Sequence, residues 1–298
     1  MVERAAERMT ATSPDPAARP AFWARRRSRE LGLIWLFLLP SLVIFLLYRI
    51  IPLVWNVVLS LEFWSPYKPA RFAGLYQYQN MLFYDDAFWK VVANTLIFMA
   101  SAPVGIALAL GVALLVNQQI RGRGVYRTIV FMSYPVMTVA VGIIPKGIPF
   151  LESFQWALPA VILASLWQVI GFYMIILLTG LQSIPPNLYE AASIDGASAG
   201  QSFWRITVPL LKPSLFLCFV VGIINSFNAF DLIFVMTGGG PGHATDLLVT
   251  YIYSTAFKLG HFDYAAAMTV ANFVLFVGLA FVANRLAGGE AGAVRRSA

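Results

Sequence analysis

The chain has 298 residues, of which 59% are hydrophobic and only 12% charged, with a formal net charge of +7. A soluble domain is normally about a quarter charged, so composition argues against a soluble enzyme or binding module, and apolar runs of about 20 residues fit bilayer spans. The basic residues sit beside those runs, as orientation signals do, rather than forming a nucleic-acid-binding surface.

Residues 1–30 are rich in Ala, Pro and Arg and end in a basic cluster, Arg25 to Arg27 and Arg29. They read as a cytoplasmic tail. The apolar run that follows is too long for a signal-peptide core, and no small-residue cleavage site ends it. It is therefore expected to stay as a first span over 31–50, with Pro40 inside. Arg49, near its outer end, can snorkel to the headgroups. Trp55 and Trp64 suit an interfacial belt, and residues 65–90 are mixed and aromatic.

Further spans are expected over 91–115, 128–144, 156–181, 215–236 and 264–286, the third at the short limit of length. A basic stretch, 117–127, follows the second. A brief loop at 145–155 holds Lys146 and Glu152. Cys218, the single cysteine, falls in an apolar run, which excludes an intramolecular disulfide and a thiolate metal cluster. His243 and His261 lie in an expected outer loop, 242–262, and read as solvated residues rather than ligands. A small-residue tail, 287–298, ends in Arg295 and Arg296. The fold class is an all-α membrane protein with six transmembrane helices over 31–286.

Six spans put both termini on one side. With the N-terminus inside, the inner segments carry most of the Lys and Arg, so the positive-inside rule gives N-in, C-in. That orientation places residues 184–213 in the cytoplasm. Pro185 and Pro186 suit a helix start, and Asn187 to Ile194 follow with Glu190 in the first turn. Gly196 is placed to stop this helix in a left-handed conformation. Ser198 and Gln201 have capping-box spacing for a second helix, which Val208-Pro209 is expected to end.

Phosphate-loop, nucleophile-elbow and HExxH patterns are all missing from the sequence, so neither ATP binding nor an enzyme site is expected. Polar residues within spans are costly in hydrocarbon and face a cavity or another helix. Here they are Ser165, Gln168 and Tyr173 beside Trp167, then Asn225, Ser226, Asn228 and Asp231. The last run places Asn225, Asn228 and Asp231 at three-residue spacing, on one face if the helix is continuous. Two readings stay open: helix–helix hydrogen bonding, or a polar stripe lining a passage. Asp231 has a third, as an anchor for the glycine-rich turn after it.

Glu190-Ala191-Ala192, Gly196, Ile206 and Pro209 resemble the EAA loop of binding-protein-dependent ABC importer permeases. That pattern is EAA, three residues, G, nine residues, I, one residue, L-P; Val208 stands where Leu is usual. The string YEAASIDGAS, which contains Asp195, resembles the sugar-importer branch, of maltose and glycerol-3-phosphate type. Thr237-Gly238-Gly239-Gly240-Pro241 resembles that branch's T-x-G-G-P turn. Phe72, Gly74, Leu75 and Tyr78, with Gln77 in an Asn position, resemble its outer loop. The 145–155 loop is shorter than the family's usual segment.

The resemblance implies the six-helix permease fold in a bacterial-type cytoplasmic membrane. It also implies that Glu190, Ala191, Ala192, Asp195, Gly196, Ile206 and Pro209 lie at the contact with a cytoplasmic ATPase dimer, which uses ATP, while this chain binds no cofactor. A second permease, an external solute-binding protein and a carbohydrate or polyol solute are implied with it. The candidate passage residues are Gln168, Tyr173, Asn225, Asn228 and Asp231. Rival readings are an ABC permease for a polyamine, phosphate or metal ion, and an ion-coupled secondary transporter. The latter needs buried ionisable groups, whereas Arg49 and Asp231 both lie towards span edges. A membrane enzyme, the most distant rival, lacks a catalytic constellation.

Overall fold

The computed structural model describes residues 34–66, 68–118, 121–135 and 151–294. Contacts divide the chain into two units, Met1–Asn56 and Val57–Ala298. Among the described residues, five helical stretches are long and apolar enough to cross a membrane. The first, α1 (Ile34–Leu59), has a π-helical turn at Leu46–Ile50, and its most apolar window buries nothing.

The second unit begins with an element that the sequence reading did not contain. Strands β1 (Glu62–Ser65) and β2 (Lys68–Phe72) form an antiparallel hairpin with Glu62 opposite Phe72. Four or five residues carry too little alternation to register as strands. A short helix, α2 (Tyr76–Phe83), leads to Asp85, whose side chain accepts from Phe88 N at 3.0 Å and caps the next helix. Asp85 Oδ2 also accepts from Tyr251 at 2.8 Å and from Tyr264 at 2.5 Å. One carboxylate thus joins three distant parts of the chain.

Helices α3 (Asp86–Ala100) and α4 (Ala102–Asn117) make up the second candidate span, with a joint at Ser101 where Pro103 follows. Gly105, Ala109 and Ala113 recur every fourth residue and so share one face of α4. That face packs on α6 (Ala157–Gln182), the most extensive helix–helix contact of the structure. Ala109, Ala113, Met174 and Leu177 are fully buried there. In lipid, where apolar burial drives helix association weakly, small residues let the helices approach for dispersion contact.

Three expected boundaries change. Helix α5 covers Arg123–Phe131 and gives way to a turn at 132–135, so the described part of the expected 128–144 span is not one continuous helix; 136–150 lie outside the described residues. Val208-Pro209 does not end a helix. Helix α8 (Ala199–Ser202), a π-helical turn at Phe203–Thr207 and helix α9 (Val208–Phe227) run on as one 29-residue stretch. Proline lacks an N–H and its ring meets the carbonyl four residues back. Here the wider turn just before it, closed by Val208 N bonding to Phe203 O, carries the chain past that clash.

Nor is 215–236 one continuous span. The helix stops at Phe227 and restarts as α10 (Phe230–Met236). Asn228 competes for the backbone locally: its Nδ2 donates to Ile224 O at 2.9 Å. The last candidate span, Phe262–Val282, lies in α11 (Phe262–Val294).

The segment from 237 to 248, expected as part of a glycine-rich turn and outer loop, is largely buried. Thr245 and Leu247 are fully buried and Asp246 nearly so. Asn94 Nδ2, on α3, is within hydrogen-bonding distance of the His243, Ala244 and Asp246 carbonyls at 2.9, 3.2 and 3.1 Å. Leu248 N donates to Thr95 Oγ1 at 3.0 Å. His243 is half-exposed but not merely solvated, since its Nδ1 lies 2.7 Å from Asp246 Oδ2.

Candidate functional site

A cavity of about 190 Å³ sits where α6, the end of α9 and α10 meet the α3–α4 joint. Gln168 and Tyr173 reach it from α6, Asn225 and Asn228 from the helix end, and Asp231 from α10. The five residues singled out in the sequence therefore line one space. They do not do so as a stripe on one helix, because the break at Asn228-Ala229 separates Asp231 from the two asparagines. The break itself turns α10 so that Asp231 shares the wall.

Tyr173 is almost wholly buried, and its hydroxyl is hydrogen-bonded with Asn225. The space for that ring comes from Gly222, where a Cβ would fall 2.9 Å from Ala102 Cβ and 3.1 Å from the Tyr173 hydroxyl. Both contacts are tighter than packed side chains tolerate. Sequence reasoning missed Ser101 and Tyr134, which also line the cavity. Ser101 sits at a helix joint and Tyr134 in a turn, where span patterning gives no signal. Tyr134 stacks on Phe172 with ring centroids 4.6 Å apart.

The turn after α10 holds itself by other means than Asp231. Thr237 Oγ1 and Thr245 Oγ1 are 2.7 Å apart, and Thr245 Oγ1 donates to Gly240 O at 2.8 Å.

The second candidate region is the loop between α6 and α9. Helix α7 covers Asn187–Ile194, with Glu190 in its first turn. Asp195 follows as the C-terminal cap, and Gly196 has φ of +78° with nothing near a built Cβ. Ser198 and Gln201 form the reciprocal cap, with Ser198 N donating to Gln201 Oε1 at 2.8 Å and Gln201 N to Ser198 Oγ at 3.3 Å. Glu190, Ala191, Asp195 and Gly196 are exposed and Ala192 is half-buried. Ile206 lies in the π-helical turn and Pro209 just beyond it.

Two features of this loop had no signature in the sequence. The Tyr189 hydroxyl lies 2.9 Å from Thr207 Oγ1, and Thr207 is buried. Ile194 is 85% exposed and Trp204 69%, so the loop presents large apolar side chains beside its polar ones.

Among the described residues there is no cluster of three or more His, Cys, Asp or Glu able to hold a metal ion.

The family described as binding-protein-dependent transport system inner membrane component matches residues 101–288. A probable ABC transporter permease protein of Pyrococcus horikoshii is 33% identical over 86% of this chain and 95% of its own length. The trehalose/maltose transport system permease protein of Thermococcus litoralis is 31% identical over 87% of this chain and 95% of its own. Among solved structures, one chain of a bacterial ABC transporter involved in the import of the acidic polysaccharide alginate superposes with a TM-score of 0.75. It is 25% identical, over 89% of this chain and 98% of that one.

Proposed function

Because the chain belongs to the family of binding-protein-dependent transport system inner membrane components, we propose that it is the permease subunit of an ABC importer for a carbohydrate or polyol. The observation that carries the solute class is the cavity. Amide, phenol and carboxylate groups from separate helical segments converge on one space of about 190 Å³ within an apolar bundle. Such groups can replace the water around a hydroxyl-rich solute. Relatives named for trehalose and maltose or for multiple sugars support the same class.

In this reading the chain spans the membrane six times, N-in and C-in. The loop carrying Glu190, Ala191, Ala192, Asp195 and Gly196 docks on a cytoplasmic ATPase dimer. Ile194 and Trp204 supply apolar contact, and Ile206 and Pro209 carry the loop into α9. ATP is bound by those ATPases and not by this chain. A second, similar permease completes the passage, and an external solute-binding protein delivers the solute. The setting is a bacterial-type cytoplasmic membrane.

The test is uptake of a panel of labelled sugars by vesicles holding this chain with its ATPase, second permease and binding protein. ATP-dependent uptake of one or more sugars is expected. ATP-dependent uptake of a polyamine or phosphate with no sugar carried would overturn the carbohydrate assignment.

A further inference from the structure

Several hydroxyls and amides of the cavity wall are committed to the backbone, and the wall's charge is of one sign. A serine hydroxyl has one O–H to give and two lone pairs to accept with. Ser101 Oγ donates to Phe98 O at 2.6 Å and Ser226 Oγ to Gly222 O at 2.8 Å, so each has committed its proton to the backbone. What they can still offer a solute is acceptor capacity. Asn228 Nδ2 likewise gives an N–H to Ile224 O at 2.9 Å. Asp231 is acceptor-only when ionised, and it is the single charged side chain among the described residues lining the cavity.

We infer that this wall selects solutes by charge: it takes neutral polyhydroxy or amine-bearing sugars and disfavours sugars bearing a carboxylate or phosphate. The inference rests on the carbohydrate reading above and narrows it. An anion entering the cavity meets the Asp231 carboxylate, of its own sign, with no cationic side chain among the described lining residues to offset it. A hydroxyl or ammonium meets partners for its protons. The solved alginate importer carries an acidic polysaccharide, so a shared fold leaves this choice to side chains.

The test reads the field in the cavity without needing the natural solute. Ser165 lines the same space and has no part in the argument, so Ser165→Cys supplies a reporter, in a Cys218→Ala background because Cys218 is the natural thiol. The assembled complex is treated with cationic trimethylammonium-ethyl, anionic sulfonatoethyl and neutral methyl methanethiosulfonates. Each rate is divided by that reagent's rate with a free thiol in solution. The cationic reagent is expected to be favoured over the anionic one by about tenfold, and Asp231→Asn to remove most of that preference. Equal normalised rates, a preference for the anion, an effect unchanged by Asp231→Asn, or no reaction with even the neutral reagent each overturns the inference. Sugar uptake by the same complex is followed in parallel. A cation preference without any sugar uptake leaves the charge filter standing and removes the carbohydrate reading; uptake without the preference does the reverse.

Discussion

The Tyr189 hydroxyl and Thr207 Oγ1, 2.9 Å apart, fasten the exposed loop helix α7 to a buried point in the long helical stretch that enters the bundle. Tyr189 also packs against the main apolar cluster. Tyr189→Phe keeps that packing and removes only the hydroxyl, at a cost of about 1 kcal/mol. The substitution is expected to leave assembly intact and to raise ATP hydrolysis that is not accompanied by solute uptake. Hydrolysis and uptake measured together in vesicles check it. A wild-type ratio of the two shows that the bond has no part in coupling.

Gly196 makes a second test of the same loop. With φ at +78° and open space around it, a side chain there meets backbone strain rather than a clash. Gly196→Val is expected to cost about 1–2 kcal/mol, from the left-handed conformation alone. That cannot unfold the bundle, but it shifts a two-turn helix relative to its partner. Normal amounts in the membrane with weakened ATPase binding are expected, read by co-purification. Gly196→Asn, which tolerates the left-handed region better, should recover most of the binding.

Asn94 is expected to matter for stability and not for solute choice. It is buried, and its amide serves carbonyls of the 243–246 segment. Asn94→Leu leaves those carbonyls without that donor, at about 1–3 kcal/mol. A lower thermal midpoint of the purified complex is expected, with unchanged relative uptake across a sugar panel. A changed panel with an unchanged midpoint would assign Asn94 to selection instead.

For Asn225 and Asn228, the expectation is the opposite division. Replacing either with Leu should leave the complex assembled while lowering uptake of the solute by about tenfold, the order of magnitude of one lost amide contact. Lost assembly with normal uptake per assembled complex would make them packing residues.

Orientation has its own test. Cysteines placed at Ser198 and Arg123 should react only from the cytoplasmic side and one at His243 only from outside. Labelling of the Ser198 position from outside intact cells would reverse the topology and take the loop away from any ATPase.

Much of this is legible in the sequence, and the reasons differ by element. The loop was readable because Pro186, Gly196, Ser198 and Gln201 act through local backbone chemistry, and the structure places each in the geometry its type demands. The end at Pro209 was misread because the π-helical turn at Phe203–Thr207 carries the helix past it, and residue spacing does not announce such a turn. The cavity residues were readable as polar groups in apolar runs. Their joint arrangement was not, because the helix break at Asn228-Ala229 carries no glycine or proline to announce it. Asn94 and Asp246 are 152 residues apart in the chain, and nothing local announces such a pair.

The unbroken stretch from Ala199 to Phe227 has a mechanical corollary. Twenty-nine residues of helix extend about 43 Å. A bar of that length is a lever: tilting it by about 10° about one end sweeps the other through about 7 Å. Its one end carries the capped turn at Ser198 and its other carries Asn225, so a nudge too small to deform the loop is magnified at the cavity. The loop and the cavity therefore lie at opposite ends of one continuous helical stretch, whose π-helical turn at Phe203–Thr207 sits near the loop end.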